Sequence, residues 1–78
     1  MVYWRFMDPI DFPLRGEYIT LDALLKASGL ASSGGAAKGL IADGGVQVNG
    51  EVETRRGCKL RAGDEVRVGP SRVRVRAG

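Results

Sequence analysis

The sequence predicts an α+β fold in which two short helices, over about 21–28 and 34–43, pack on a small antiparallel sheet. Three observations carry that expectation. Leu21, Leu24 and Leu25 recur at helical spacing. After Gly45 the period falls to two, with Val46 and Val48 flanking Gln47. Asn49-Gly50 then separates two alternating pieces. That dipeptide is a strong hairpin signal, because a type I′ turn needs positive φ at both central residues.

Residues 1–18 read as an extended arm or strand. Pro9 and Pro13 mark a loop between a short first strand and a second extended piece near Leu14 to Ile19. Tyr3, Trp4 and Phe6 fit two uses, capping the core or stacking exposed on bases, of which core packing is the commoner for aromatics.

The first helix has readable ends. Thr20 is its expected N-cap, Asp22 lies in the first turn, and Gly29 is placed to stop it. Ser33 is the expected N-cap of the second helix, Ala37, Leu40 and Ile41 form its apolar face, and Gly44 or Gly45 ends it. Past the Asn49-Gly50 turn the alternation continues through "CKLRAGDEVRV". Cys58 and Leu60 fall on one side, Lys59 and Arg61 on the other, and Val66 and Val68 alternate with Arg67. "GPS" turns the chain into a closing strand with Val73 and Val75 inward. Arg72, Arg74 and Arg76 must then share the opposite face. The whole reads as a single domain over 1–78, with a core at 19–68 and the closing strand within 69–78.

A chain of 78 residues buries only about 60% of the surface its unfolded form exposes, which leaves no room for a large enclosed active site. It has one cysteine, Cys58, and no histidine. A disulfide within the chain, the usual zinc ligand sets, and Ser-His-Asp or Cys-His catalysis are therefore excluded. A non-enzyme without cofactor or metal is expected. A lone thiol suits a reducing cytoplasm. No apolar run is long enough to span a bilayer, and the basic-then-apolar order of a signal peptide is missing, so a membrane partner is not expected.

Charge is placed unevenly. Residues 1–54 hold four basic against seven acidic residues; residues 55–78 hold eight basic against only Asp64 and Glu65. Most of those cations are arginines, whose planar fork suits bidentate phosphate contacts. A polyanionic partner is the first expectation.

Two stretches concentrate this chemistry. "SSGGAAK" opens the second helix, where the first amides lack helical partners and carry the positive end of the dipole. The exposed amides are those of Gly34, Gly35 and Ala36, and the glycines leave them open to an anion. Lys38 tilts back over the same turn, and Ser33 adds a hydroxyl. Close packing between the helices would equally explain the glycines. The spacing is not that of a nucleotide-binding P-loop. "TRRGCKLR" supplies Arg55, Arg56, Lys59 and Arg61 on the neighbouring hairpin, in a pattern suited to a phosphate backbone. The competing use of such charge is to discourage edge-to-edge strand association.

Taken in order, "SGGAAK", "VQVNGEVETRRG" and "GDEV" resemble the S-four-type RNA-binding domain, named after ribosomal small-subunit protein S-four. The likeness runs over residues 19–68 and is greatest to small stand-alone bacterial members. It implies the two-helix-plus-sheet module called the αL motif. It implies a non-catalytic protein, a monomer in the cytoplasm, that holds structured RNA of the ribosomal or transfer type, with the ribosome as a candidate location. Carried over by residue, it nominates Ser33, Gly34, Gly35, Lys38, Arg55, Arg56 and Lys59; Arg61 joins them from the charge pattern. Cys58 stands where relatives often have a basic residue and is left out.

Two other readings compete. "VNGEV" and "GDEV" also resemble small β-grasp sulfur carriers, although these need a C-terminal Gly-Gly and this chain ends Ala77-Gly78. A protein-binding adaptor on a ribosome or an enzyme is the third.

Overall fold

Leu21, Leu24 and Leu25 form the buried stripe of α1 (Leu21–Ala27). Ala37 and Ile41 do the same for α2 (Gly34–Ala42), with Leu40 half-buried beside them. These residues come from a computed structural model that describes residues 9–78. The expectations for Tyr3, Trp4 and Phe6 lie outside the described residues.

Both helices stop at glycines in the left-handed region. Gly29 (φ +82°) follows α1 and Gly44 (φ +78°) follows α2. At the second, the Gly44 amide donates to Ile41 O at 3.1 Å and the Gly45 amide to Leu40 O at 3.0 Å. That double bond is the Schellman closure, which satisfies carbonyls the helix leaves unpaired.

Among the described residues seven strands accompany the helices: β1 (Ile10–Pro13), β2 (Ile19–Thr20), β3 (Val46–Val48), β4 (Glu51–Val52), β5 (Lys59–Leu60), β6 (Glu65–Val68) and β7 (Ser71–Arg76). Five form one sheet in the order β1-β7-β6-β3-β4, and β2 and β5 pair separately. Val46, Val66, Val73 and Val75 face inward and join the two helices and Leu60 in one buried cluster.

The sheet departs from an all-antiparallel arrangement at one edge, where β1 runs parallel to β7. Parallel partners need a long crossover. Residues 14–70 lie between these two strands and serve as one. Pro13 is tolerated because β1 is an edge strand. The extended piece expected at Leu14 to Ile19 shrinks to Ile19–Thr20, since Gly16 (φ +97°) bends the chain before it. The alternation through 58–68 is likewise cut. The turn at 61–64 sends Lys59–Leu60 to β2 and Glu65–Val68 to the larger sheet.

The β3–β4 turn has positive φ at both Asn49 (51°) and Gly50 (87°), as expected. Asn49 does more than turn the chain. Its Nδ2 donates to Asp64 Oδ1 at 3.1 Å, and its Oδ1 accepts from the Glu65 amide at 3.0 Å. The hairpin is thereby tied to the start of β6. Asn49→Ala should lower the unfolding free energy by about 1–2 kcal/mol in a urea titration, because alanine is strained at positive φ and loses both bonds. Asn49→Gly should cost less, since glycine keeps the backbone conformation; equal losses would assign the whole effect to the hydrogen bonds.

Candidate nucleic-acid interface

The two helices are finished differently at their amino ends. In α1 the Leu21 amide donates to Cys58 O at 2.9 Å and the Asp22 amide to Arg56 O at 3.2 Å. The third amide, Ala23, donates to Asp22 Oδ1 at 2.8 Å. Thr20 holds the N-cap position, but its hydroxyl donates to Asp22 Oδ1 at 2.7 Å rather than accepting from an amide. The end of α1 is thus closed by protein groups.

In α2 the Ser33 Oγ accepts from the Ala36 amide at 3.1 Å, and Ser33 O accepts from the Ala37 amide at 3.0 Å. Ala36 is therefore not among the free amides. Those of Gly34 and Gly35 have no protein partner among the described residues.

Close packing does not explain these glycines. A Cβ on Gly34 would meet nothing within 4 Å, and one on Gly35 would make only an ordinary 3.8 Å contact with Ser33 Oγ. Neither residue has positive φ. Ser33, Gly34, Gly35 and Lys38 are all exposed. Two solvent-facing residues at a helix start are thus glycines for no reason internal to the fold.

Of the second group of nominated residues, Arg55 and Arg56 sit on the loop between β4 and β5, and Lys59 opens β5. The loop's carbonyls are the ones that close α1, and α1 packs on α2, so α1 joins the two groups. Arg55, Gly57, Cys58 and Lys59 line an open hollow of about 500 Å³. The Lys59 ammonium lies 5.0 Å from the centre of the Tyr18 ring, within cation–π range. Arg61 is exposed just past β5, in a turn where its amide donates to Asp64 Oδ2 at 2.8 Å.

The cations are not equally available. Arg55 forms a two-pronged pair with Glu53, at 3.0 Å (NH2 to Oε1) and 3.1 Å (Nε to Oε2), and its amide also donates to Glu53 Oε2 at 3.0 Å. These bonds hold the Glu53 carboxyl down at about 2 and raise the Arg55 guanidinium further. Asp22 is lowered by the Thr20 hydroxyl first, then by the Ala23 amide and by the charge of Arg56. Burial, reinforced by Glu53, pushes the Cys58 thiol up, so it stays protonated at neutral pH. Among the described residues no cluster of acids and Cys58 is arranged to hold a metal, and no helix is long and apolar enough to cross a membrane.

Sequence reasoning missed three participants: Tyr18, Glu53 and Asp22 in its role beside Arg56. Glu53 had a visible signal, since residues i and i+2 of an extended segment face the same way. Tyr18 had none, because its place under Lys59 follows from the β2–β5 pairing of Thr20 with Lys59.

A family model described as the S4 domain matches residues 12–76. The chain belongs to the S4 domain family. Among relatives, YbcJ of Escherichia coli (strain K12) is 45% identical over 58 residues, which is 74% of this chain and 83% of YbcJ. RlbA of Bacillus subtilis (strain 168), whose name gives ribosome maturation as a probable role, is 44% identical over 52 residues, covering 67% of this chain and 73% of RlbA. The solution structure of E. coli YbcJ, described as revealing an αL motif involved in RNA binding, superposes with a TM-score of 0.71 at 38% identity over 99% of both chains. In this S4 domain "VNGEV" is the β3–β4 hairpin and "GDEV" the entry to β6, so the sulfur-carrier alternative is not favoured.

The Glu53–Arg55 pair gives a direct pH test. Its carboxyl is lowered from the ordinary 4.5 to about 2, so its contribution is present above pH 4.5 and lost as pH falls from 4.5 to 2. NMR titration should place the Glu53 midpoint near 2, and Arg55→Gln should return it toward 4.5. A midpoint unmoved by Arg55→Gln would remove Arg55 as the cause.

Proposed function

We propose that this chain is a non-catalytic module that binds structured RNA by its phosphate backbone, and that its RNA is of the ribosomal or transfer type. It acts as one domain and one copy in the cytoplasm, on ribosomal RNA or a ribosomal particle. The observation that carries the reading is the pair of exposed glycines at the start of α2, which neither packing nor backbone conformation requires. Bare amides at the positive end of a helix dipole suit a phosphate oxygen, and a Cβ there would stand in its way.

Around that end the residues take distinct roles. Gly34 and Gly35 donate amides, Lys38 supplies charge over the same turn, and Ser33 fixes the cap. Arg56, Lys59 and Arg61 contact phosphates further along the strand. Arg55 joins by exchanging Glu53 for a phosphate. An exposed ion pair is worth at most about 1 kcal/mol, so the exchange is cheap. The names of the S4-domain relatives support both halves of the reading, RNA binding through YbcJ and ribosome maturation through RlbA.

The adaptor reading has less support, because among the described residues no large exposed apolar patch accompanies the site. Among the described residues the exposed large hydrophobics are Tyr18 and Val52, and Tyr18 is occupied by Lys59.

Gly34→Ala and Gly35→Ala separate stability from function. Each should raise the unfolding free energy, by about 0.4–1 kcal/mol, since alanine loses less freedom on folding. Each should weaken binding to a labelled ribosomal RNA transcript. Lys38→Gln and Arg56→Gln should each make the log–log salt slope shallower by about 0.7–0.9. Alanine variants that gain stability and bind RNA as well as the wild type would sink the proposed phosphate grip.

A further inference from the structure

Strand alternation gives the five-stranded sheet a second surface. Its inner face carries the valines against the helices; its outer face carries Asp11, Gln47, Glu65, Arg67, Arg72 and Arg74 in rows fixed by the register. One row runs Asp11–Arg74–Glu65, so Arg74 has an acidic neighbour on both sides, and its guanidinium reaches Glu65 at 3.6 Å.

The adjacent row is built differently. Arg72 of β7 stands directly opposite Arg67 of β6, and beyond Arg67 come Gln47 and then Val52. Neither Arg67 nor Arg72 has a salt-bridge partner among the described residues. Like charges directly across a strand pair work against the sheet. The same sheet compensates one arginine from both sides and sets two others against each other.

We propose that Arg67 and Arg72 form a second phosphate-binding site, on the outer face of the sheet, for an RNA segment other than the one at the start of α2. Two guanidinium forks side by side, one exposed and one half-buried, offer the planar donors that suit phosphodiester oxygens, and an anion between them removes the repulsion. The helices cover the inner face, so the two sites look in different directions, and the domain sits between two stretches of a folded RNA. This inference rests on the reading that the chain binds RNA.

The test is a salt titration of binding to a labelled small-subunit ribosomal RNA transcript, using the full chain and single variants of equal charge change. Arg67→Gln and Arg72→Gln should each make the log–log slope shallower by about 0.7–0.9, while Arg74→Gln leaves it unchanged. Neither outer-face variant should lower the melting temperature, since each relieves a repulsion. Equal effects at all three positions would reduce the result to net charge and overturn the proposal. Unchanged slopes in Arg67→Gln and Arg72→Gln, with Lys38→Gln still weakened, would overturn it alone and leave the row to an acidic protein surface. Absence of RNA binding by the wild type would overturn both this site and the proposed function.

Discussion

The arrangement depends on two backbone hydrogen bonds, from the Leu21 and Asp22 amides to the carbonyls of Cys58 and Arg56. A helix start has donors it cannot satisfy itself. In α1 they are met by a loop from the far half of the sequence, in continuation of the β2–β5 pairing. Leu21 is wholly buried, so an amide left unpaired at this point would cost about 1–3 kcal/mol. The bonds close α1 and fix the basic loop against it. Through the packing of α1 on α2, they also fix that loop relative to the open end of α2. Backbone thus positions the loop that carries the cations, without using their side chains to hold it against α1.

Acidic residues then decide which cations are available. Glu53 takes Arg55, Glu65 takes Arg74, and Asp22 lies in the field of Arg56. These pairs are too exposed to matter greatly for stability. Their effect is selective. Lys38, Arg61, Arg67 and Arg72 have no carboxylate within ion-pair distance among the described residues, and Lys59 rests on an aromatic face. The overall charge of +3 says little about this. What separates an available cation from a paired one here is whether a carboxylate stands beside it.

Much of the fold was legible because its signals are local. The leucine stripe of α1, the glycine stops, and the Asn49-Gly50 turn each lie within a few residues, and the inward valines follow from period two. What escaped was long-range. Nothing near Ile10 announces a parallel partner in β7, and nothing in "CKLRAGDEVRV" shows that its halves belong to different sheets. At the site, residue types pointed to both stretches, yet the reading overcounted free groups at each. The Ala36 amide is taken by Ser33, and Arg55 is held by Glu53. Both corrections are competitions for one hydrogen bond, and a list of donors does not rank its acceptors.

The places where this chain breaks local rules are two: adjacent glycines at an exposed helix start, and arginine opposite arginine on an exposed sheet face. Each costs the free protein some stability, and neither is repaid by a contact among the described residues. The domain can carry such costs because its core is decided elsewhere, by a cluster that among the described residues holds twelve buried apolar side chains and involves neither feature. Alanines at 34 and 35, or an acid across from Arg67, would satisfy the fold better. A fold that is consistent everywhere else and inconsistent at two solvent-facing points has its remaining requirements set from outside. At both points the proposed phosphate contacts would supply an anion: an oxygen to accept the Gly34 and Gly35 amides, and a negative charge between Arg67 and Arg72.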